Sequence, residues 1–237
     1  MTNSPFETVR SIFTDFVDLF FPPVCLHCKT ILPQSANKLS LCPNCFPQLI
    51  LISSDYPKTE VLERLVPCFV DQMWIGYEFN EIIQSVIHCL KYKKMPNMGI
   101  RVGKLCAEAL RKNFEPLMER CFLPVPLHPI RKSERGYNQS EFISNGLISI
   151  HHGLLIENVM IRNKNTISQT TLNRKERHEN VHQAFQIGDE TTDILGKTII
   201  LVDDLITTGA TMNECARVLK ENGADRIIAV AVASPVN

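Results

Sequence analysis

The sequence lacks net charge, because its 25 lysine and arginine residues are balanced by 25 aspartate and glutamate residues. Affinity for nucleic acid would therefore have to come from a local basic patch rather than from the overall charge. With 237 residues and 44% apolar composition, the chain is long enough for one large domain and a small accessory module.

A long hydrophobic run is also missing near the N-terminus. Four charged residues interrupt the apolar ones there: Glu7, Arg10, Asp15 and Asp18. This pattern excludes a signal-peptide core and a membrane-spanning helix, so we expect a cytoplasmic protein with no integral membrane segment. Apolar spacings of three and four predict an amphipathic helix over residues 1–22, which packs on this protein or a partner or, alternatively, lies on a membrane surface.

The sequence also lacks the pattern of a secreted disulfide framework, although it contains nine cysteines. Five of them are scattered among apolar residues, where reduced cysteine behaves as a small hydrophobe. We therefore predict core positions for these five: Cys68, Cys89, Cys106, Cys121 and Cys215.

The other four cysteines form two Cys-x-x-Cys pairs: Cys25 with Cys28, and Cys42 with Cys45. This spacing lets four thiolates surround one tetrahedral ion, which favours a structural zinc site in a module over residues 23–50. A disulfide pair and an iron–sulfur cluster are the alternatives. His27 is predicted to be a bystander, because four cysteines already satisfy the metal.

A strand–loop–helix–strand unit is predicted near the C-terminus. Aliphatic and β-branched residues run without interruption over 197–202, which is typical of a strand buried on both faces. Asp203 and Asp204 follow it, and the loop 207–211 leads into a helix. The apolar run 226–233 then supplies the next strand of a βαβ unit.

The residues of this loop suit a sugar phosphate. Backbone N–H groups at a helix N-terminus, threonine hydroxyls and a glycine that allows close approach form a cradle for a phosphate dianion. Two carboxylates repel the same phosphate, so we expect them to face ribose hydroxyls or a magnesium ion. The loop lacks the Gly-Lys-Ser/Thr triplet of a Walker loop. The alternative is a solvated strand end followed by a simple helix cap.

Basic residues follow two earlier predicted strands. The first of these strands precedes a helix that Asn80 caps. The helix ends at Lys91, whose ammonium group either complements the helix dipole or reaches a phosphate group. The apolar run 122–127 predicts a buried strand, whose prolines confine it to an end or an edge. It leads into a segment with Arg131 and Arg135. Open α/β sheets bind ligands at such carboxyl ends of strands.

Two segments have weak apolar periodicity. Residues 46–73 carry prolines, serines and mixed charge, so we predict a linker and a domain boundary there, with the large domain over 70–237. Residues 161–185 are basic and polar, which indicates either a merely solvated surface or a loop that binds anions, whether substrate phosphates or nucleic acid.

These motifs resemble those of known proteins. Leu201 to Thr211 is similar to the phosphoribosyl pyrophosphate signature of type I phosphoribosyltransferases. More narrowly, the chain resembles the ComF competence-protein family, which includes ComFC and GntX-like proteins, in the four-cysteine module, Leu90-Lys91-Tyr92, Val125-Pro126-Leu127 and Arg135-Gly136-Tyr137-Asn138-Gln139. The resemblance implies an α/β fold, with a mostly parallel sheet flanked by helices, and a small N-terminal zinc ribbon.

The resemblance also implies roles for particular residues. Asp203 and Asp204 would form the catalytic pair that holds the ribose hydroxyls. The 5′-phosphate would be bound by the loop that follows them: Thr207, Thr208, Gly209, Ala210 and Thr211. Pyrophosphate, with magnesium, would be bound near the loop 127–131 by Lys91, Arg131 and Arg135, and Arg174 and Arg177 would belong to a mobile loop that closes over the substrate.

The function implied first is a phosphoribosyltransferase-type protein of DNA uptake in natural transformation, in contact with single-stranded DNA and the competence machinery. Tyr92 and Tyr137 are available to stack on bases. The alternatives are a metabolic phosphoribosyltransferase that acts on a base or amine, and a non-catalytic module of the same fold that senses its ligand. No residues identify the acceptor, so a hood over it must come from residues 46–95 or the zinc module, or be absent.

Overall fold

The computed structural model describes residues 22–33, 39–52, 58–63, 65–113, 120–164, 181–188 and 194–235. The predicted helix over 1–22, apart from Pro22, lies outside these ranges, as do Arg174 and Arg177 of the predicted mobile loop. Within the described ranges, no helix is long and apolar enough to cross a membrane.

A five-stranded parallel sheet forms the centre of the molecule. The described strands are β1 (Gln72–Glu78), β2 (Cys121–Pro124), β3 (Leu154–Leu155), β4 (Met160–Arg162), β5 (Phe185–Ile187), β6 (Thr198–Leu205) and β7 (Arg226–Ser234). The sheet has the order β1-β7-β6-β2-β3, and every neighbouring pair in it is parallel. Strands β4 and β5 form a separate antiparallel pair.

Helices cover both faces of the sheet. The described α-helices are α1 (Lys58–Glu63), α2 (Glu81–Tyr92), α3 (Pro96–Ala109), α4 (Pro129–Arg135), α5 (Gln139–His151) and α6 (Ala210–Glu221). Side chains of the central strands alternate between two cores: Ile200 and Val202 of β6 pack with residues of α2, α3 and α5, whereas Ile199 and Leu201 pack with residues of α6. Burial on both faces explains the uninterrupted apolar run of β6.

Helices α3 and α5 pack with their backbones in contact. A Cβ atom on Gly103 would lie 2.2 Å from the carbonyl oxygen of Ile143, and one on Gly146 would lie 2.4 Å from that of Ile100. Any side chain at these two positions would force the helices apart. This close packing fixes α5, whose first turn reaches the carboxyl end of β6.

The predicted fold class is confirmed, and so are its main elements. Asn80 caps α2 by accepting from the backbone N–H groups of Ile82 and Ile83, and Asn138 caps α5 by accepting from that of Ser140. Strand β2 ends at the prolines as predicted, but it lies inside the sheet between β6 and β3 rather than at its edge.

The prediction of core positions for the scattered cysteines is correct for four of the five. Cys89, Cys106, Cys121 and Cys215 are buried, whereas Cys68 is exposed. Cys68 lies in the irregular segment before β1, where its Sγ is 3.4 Å from the carbonyl oxygen of Val70. The apolar neighbours of Cys68 in the sequence therefore did not indicate burial, because this irregular segment leaves the side chain exposed to solvent.

The segment predicted as a linker is structured where it is described. Phe46–Gln48 form a 3-10 turn, and Leu51 pairs with Tyr77 in an antiparallel bridge. The N–H of Ile52 donates to the carbonyl of Gly76, and that of Glu78 donates to the carbonyl of Ile50. These contacts cover the outer edge of β1.

Candidate functional site

The two aspartates predicted as the catalytic pair lie at the carboxyl end of β6, in the middle of the sheet. Oδ1 of Asp203 accepts from the hydroxyl of Ser140 at 3.1 Å and from the backbone N–H of Asp204 at 2.9 Å. Oδ2 of Asp204 lies 2.7 Å from Nζ of Lys91. Helices α2 and α5 therefore each supply one side chain to this carboxylate pair.

Burial and a neighbouring negative charge shift the pKa of Asp203 upwards. Burial raises the pKa of Asp203 to about 6, and the negative charge of Asp204 adds to the increase. The nearby Lys91 ammonium and the hydrogen bonds to Asp203 act in the opposite direction without cancelling the shift. A carboxylate with this pKa accepts hydroxyl hydrogen bonds at neutral pH and loses that ability in mild acid.

The predicted phosphate loop joins β6 to α6. Gly209 caps α6 with a φ of 77°, a left-handed conformation that favours glycine. Thr207, Thr208 and Thr211 are half-buried, so their side chains are partly open to solvent. The loop thus places a helix N-terminus beside the carboxylate pair, and this combination suits an anion attached to a sugar.

The segment before β1 packs against this loop. A Cβ atom on Gly209 would lie 2.9 Å from Cγ1 of Val61 and 3.1 Å from Cδ1 of Leu65. Helix α1 and the residue that follows it closely therefore cover one side of the loop. The sequence predicts a linker in this region, because six helical residues are too few to show an apolar periodicity.

The cations predicted to bind pyrophosphate lie around the same edge of the sheet. Lys91 is engaged with Asp204, as described above. Arg131 and Arg135 are half-buried on α4, and Nη1 of Arg135 donates to Oε1 of Gln139 at 2.8 Å. Cζ of Arg135 lies 5.8 Å from the ring centroid of Tyr92. Lys91 and Arg135 are therefore already ordered by contacts within the protein.

The two tyrosines predicted to stack on bases differ in accessibility. Tyr92 is 64% exposed, and the ring of His88 lies 4.9 Å from its own. Tyr137 donates its hydroxyl proton to the carbonyl of Leu90 and contacts Phe142 edge-on at 5.3 Å. Tyr137 is thus committed to packing, whereas Tyr92 remains open to a ligand.

A cleft of about 450 Å³ opens between the loop after β2, helix α4 and strand β4. Pro126 and Leu127 lie on one wall, and Lys132 and Arg162 contribute cationic groups. Arg162 was part of the basic stretch in the sequence, but no motif distinguished it from its neighbours. Its position depends on the pairing of β4 with β5, whose partner residues lie far apart in the chain.

The four predicted metal ligands converge. The Sγ atoms of Cys25, Cys28, Cys42 and Cys45 all lie within 4.8 Å of one another. Zinc–sulfur bonds of ~2.3 Å in a tetrahedron place sulfurs about 3.8 Å apart, so the cluster fits zinc with little adjustment. The backbone N–H of Cys42 also donates to Sγ of Cys25 at 3.3 Å, which stabilises a thiolate. With four thiolate ligands, zinc here would have a structural role.

The cysteine module is attached to helix α2 at two points. Nδ1 of His27 lies 3.0 Å from the hydroxyl of Ser85, and the side-chain amide of Asn80 donates to the carbonyl of Gln48 at 2.8 Å. His27 is therefore not needed as a ligand but contacts the helix that carries Lys91. Buried residues of the module also belong to the same apolar core as α2 and α3.

Comparison with known proteins identifies the family to which this chain belongs. The chain belongs to the phosphoribosyl transferase domain family, whose model matches residues 103–235. It is 27% identical to "Competence protein F" of Haemophilus influenzae over 86% of this chain and 82% of that protein.

Two further relatives support the resemblance to ComF proteins that the motifs predicted. "DNA utilization protein YhgH" of Escherichia coli K12 is 27% identical over 83% of this chain and 85% of that protein. "Competence protein ComFC" of Bacillus subtilis is 24% identical over 84% of this chain and 79% of that protein. The resemblance is thus confirmed over most of the chain.

Proposed function

We propose that the protein binds a ribose phosphate, phosphoribosyl pyrophosphate with magnesium in particular, at the carboxyl end of β6. This proposal rests on the position of Asp203 and Asp204 beside the loop at the N-terminus of α6, whose threonines are half-buried. Nζ of Lys91 lies 2.7 Å from Oδ2 of Asp204. Carboxylates for sugar hydroxyls, backbone amides for a phosphate and the Lys91 ammonium for a diphosphate are then all within one site.

The side chains have distinct tasks in this proposal. Ionised Asp203 and Asp204 accept hydrogen bonds from the ribose hydroxyls, and Thr207 to Thr211 bind the 5′-phosphate. Lys91 exchanges Asp204 for the diphosphate, aided by Arg131 and Arg135. Magnesium, when bound with the diphosphate, stabilises its developing charge. In transfer, the C1′–oxygen bond breaks with its electron pair leaving on the diphosphate, while the acceptor forms a bond to C1′.

Calorimetry with phosphoribosyl pyrophosphate and magnesium tests the site. The double variant Asp203→Asn/Asp204→Asn should bind about tenfold more weakly or worse, because neutral amides remove the charged acceptors. Asp225→Asn is the matched control, since this exposed residue precedes β7 at the opposite end of the sheet. Equal binding by the double variant, or none by the wild type, would contradict the proposal.

Turnover separates an enzyme from a sensor of the same ligand. Release of pyrophosphate with one of a panel of bases and amines would support a metabolic transferase. Binding that persists without turnover against the whole panel would support a regulatory module.

We propose single-stranded DNA as a second ligand, in keeping with a role in DNA uptake in the cytoplasm. The competence and DNA-utilization names of the relatives support this, together with the exposed Tyr92 flanked by His88 and Arg135.

Titration of a fluorescent single strand at two salt concentrations tests this second ligand. Tyr92→Ala should weaken binding by roughly fivefold or more, because stacking on a base is worth about 1–3 kcal/mol. Leu195→Ala, which removes another exposed apolar side chain, should leave affinity unchanged. An affinity that changes neither with salt concentration nor in Tyr92→Ala would contradict the proposed DNA contact.

A further inference from the structure

Asn213 is a polar residue buried inside helix α6, where it is only 5% exposed. Its Oδ1 accepts from the backbone N–H of Phe69 at 2.7 Å, and its Nδ2 donates to the carbonyl of Pro67 at 2.8 Å. Asparagine is neutral to unfavourable within helices, because its side chain competes for backbone hydrogen bonds. The contribution of Asn213 to the fold therefore lies in these two contacts outside the helix.

The same residue belongs to the turn that follows the phosphate loop. Its backbone N–H donates to the carbonyl of Gly209 at 2.9 Å and so closes the first turn of α6. Asn213 thus joins the loop, through its backbone, to residues 67–69, through its side chain. The two side-chain partners lie 144 and 146 positions earlier in the sequence, so no local pattern indicates this connection.

Residues 65–71, which we call the entry segment, run alongside α6 from the phosphate loop to the other end of the helix. At the loop, Cδ1 of Leu65 would lie 3.1 Å from a Cβ atom on Gly209. At the far end, Oδ2 of Asp71 lies 2.8 Å from Nζ of Lys220. The two hydrogen bonds of the asparagine lie between these points and fasten the segment one helical turn from the loop.

This arrangement affects how the loop would bind a phosphate. The proposed ligands of the phosphate include backbone N–H groups, which no side-chain rotation can reposition. Packing must set them before binding, because every residue that becomes ordered on binding loses conformational entropy. Gly209 has no side chain to anchor the loop, and glycine has the widest choice of backbone conformations. The packing of the entry segment on Gly209 restricts that choice.

We propose that Asn213 is a positioning residue for the phosphate loop. Its two hydrogen bonds hold the entry segment against Gly209, and the segment keeps the backbone N–H groups of residues 207–211 in the arrangement that binds a phosphate group. The side chain acts through the loop and does not itself contact the ligand. This inference rests on the proposed ribose-phosphate function and adds to it a residue outside the predicted site.

Calorimetry with ribose 5-phosphate and with inorganic pyrophosphate, together with hydrogen exchange of the loop amides, tests the inference. Asn213→Ala removes both hydrogen bonds, and Asn213→Asp keeps the acceptor for Phe69 but loses the donor to Pro67. We expect the alanine variant to bind ribose 5-phosphate about tenfold more weakly and to exchange the loop amides about tenfold faster, with the aspartate variant between it and the wild type. Pyrophosphate affinity should be unchanged, because its proposed ligands lie on α2 and α4.

Asn222→Ala is the matched control, because Asn222 caps the other end of α6 and its side chain also donates to a backbone carbonyl, that of Val218, at 2.8 Å. It should leave both affinities and the loop exchange unchanged, even where it lowers the unfolding temperature as much as Asn213→Ala. Equal loss of ribose 5-phosphate binding in the two alanine variants would overturn the inference. Equal loss of both ligands in Asn213→Ala, or loop exchange at the wild-type rate, would overturn it as well.

The same measurements distinguish this inference from the proposed function. A wild type that binds no ribose 5-phosphate, with faster loop exchange in Asn213→Ala, would retain the role of Asn213 in holding the loop and reject the ribose-phosphate function. A wild type that binds ribose 5-phosphate, with unchanged affinity in both Asn213 variants, would retain the function and reject the inference. Asn213→Asp has nearly the volume of the wild-type side chain, so it supplies the comparison if the alanine variant does not fold.

Discussion

Asp203 shows how single residues in this site depend on the packing around them. Its sequence neighbours suggest an ordinary carboxylate at the end of a strand, but the folded chain partly buries it and places Asp204 beside it. The fold is thus destabilised by a negative charge that, in the proposed function, accepts hydrogen bonds from the ligand. Such a compromise between stability and binding is common at functional sites.

Asp203→Asn should therefore stabilise the free protein in a pH-dependent way. Its folded pKa of about 6 lies above the ordinary 3.8, so protonation favours the folded state, and the wild type loses that stability as pH rises through about 6. The variant should gain on the order of 1–3 kcal/mol in unfolding free energy at about pH 8 and nothing below about pH 4. Urea denaturation across this range measures the difference.

Asp225→Asn serves as the control, because its carboxylate is exposed and far from the carboxyl end of β6. It should show no gain that grows between about pH 4 and pH 8. A pH-independent effect of Asp203→Asn would contradict the raised pKa of Asp203.

The sequence predicted more about this pair than about its partners. Motifs predict Asp203, Asp204 and Lys91 as site residues, because the chemistry of each lies in local residue type. Ser140 was not singled out, because only the packing of α5 brings it to the carboxylate pair. Cys68 shows the converse, since local apolarity did not decide its burial.

Among the elements, helix α2 connects the cysteine module to the carboxylate pair. Its N-cap residue Asn80 and its Ser85 contact the cysteine module, and its last turn carries Lys91 to Asp204. Sequence periodicity and the capping asparagine were enough to predict this helix. The module contacts were not predictable, because they join residues with no shared motif.

Asn80→Ala should lower the unfolding free energy by about 1–2 kcal/mol, since it removes the acceptor that caps α2. Asn80→Asp is the matched variant, because a carboxylate keeps the cap but cannot donate to the carbonyl of Gln48. It should be less destabilising than the alanine. Equal destabilisation in urea titrations would mean that the module contact, not the cap, dominates.

At the scale of the whole molecule, the cysteine module and the sheet share one apolar core. Family resemblance and strand patterns predicted both parts and the sheet type. They left the relation between the parts open, because residues 46–73 gave no periodicity. The backbone bridge between Leu51 and Tyr77 and the shared apolar core join the cysteine module and the sheet into one continuous packed unit.

Loss of the metal should accordingly destabilise the whole described unit. Cys42→Ser, or a chelator, should lower the temperature of a single unfolding transition, because the module's buried residues pack on α2 and α3. Cys68→Ser is the control, as Cys68 is exposed and outside the cluster. Calorimetry that shows two independent transitions would contradict this continuity, and metal analysis should give one zinc per chain that Cys42→Ser loses.

The covered outer edge of β1 also limits how the chain can be shortened. A fragment that begins at residue 70 would expose the backbone groups of Gly76 and Glu78 that now pair with residues 50–52. Bare strand edges recruit other chains, so such a fragment would tend to self-associate. Inactivity in that fragment would therefore reveal nothing about whether zinc takes part in ligand binding.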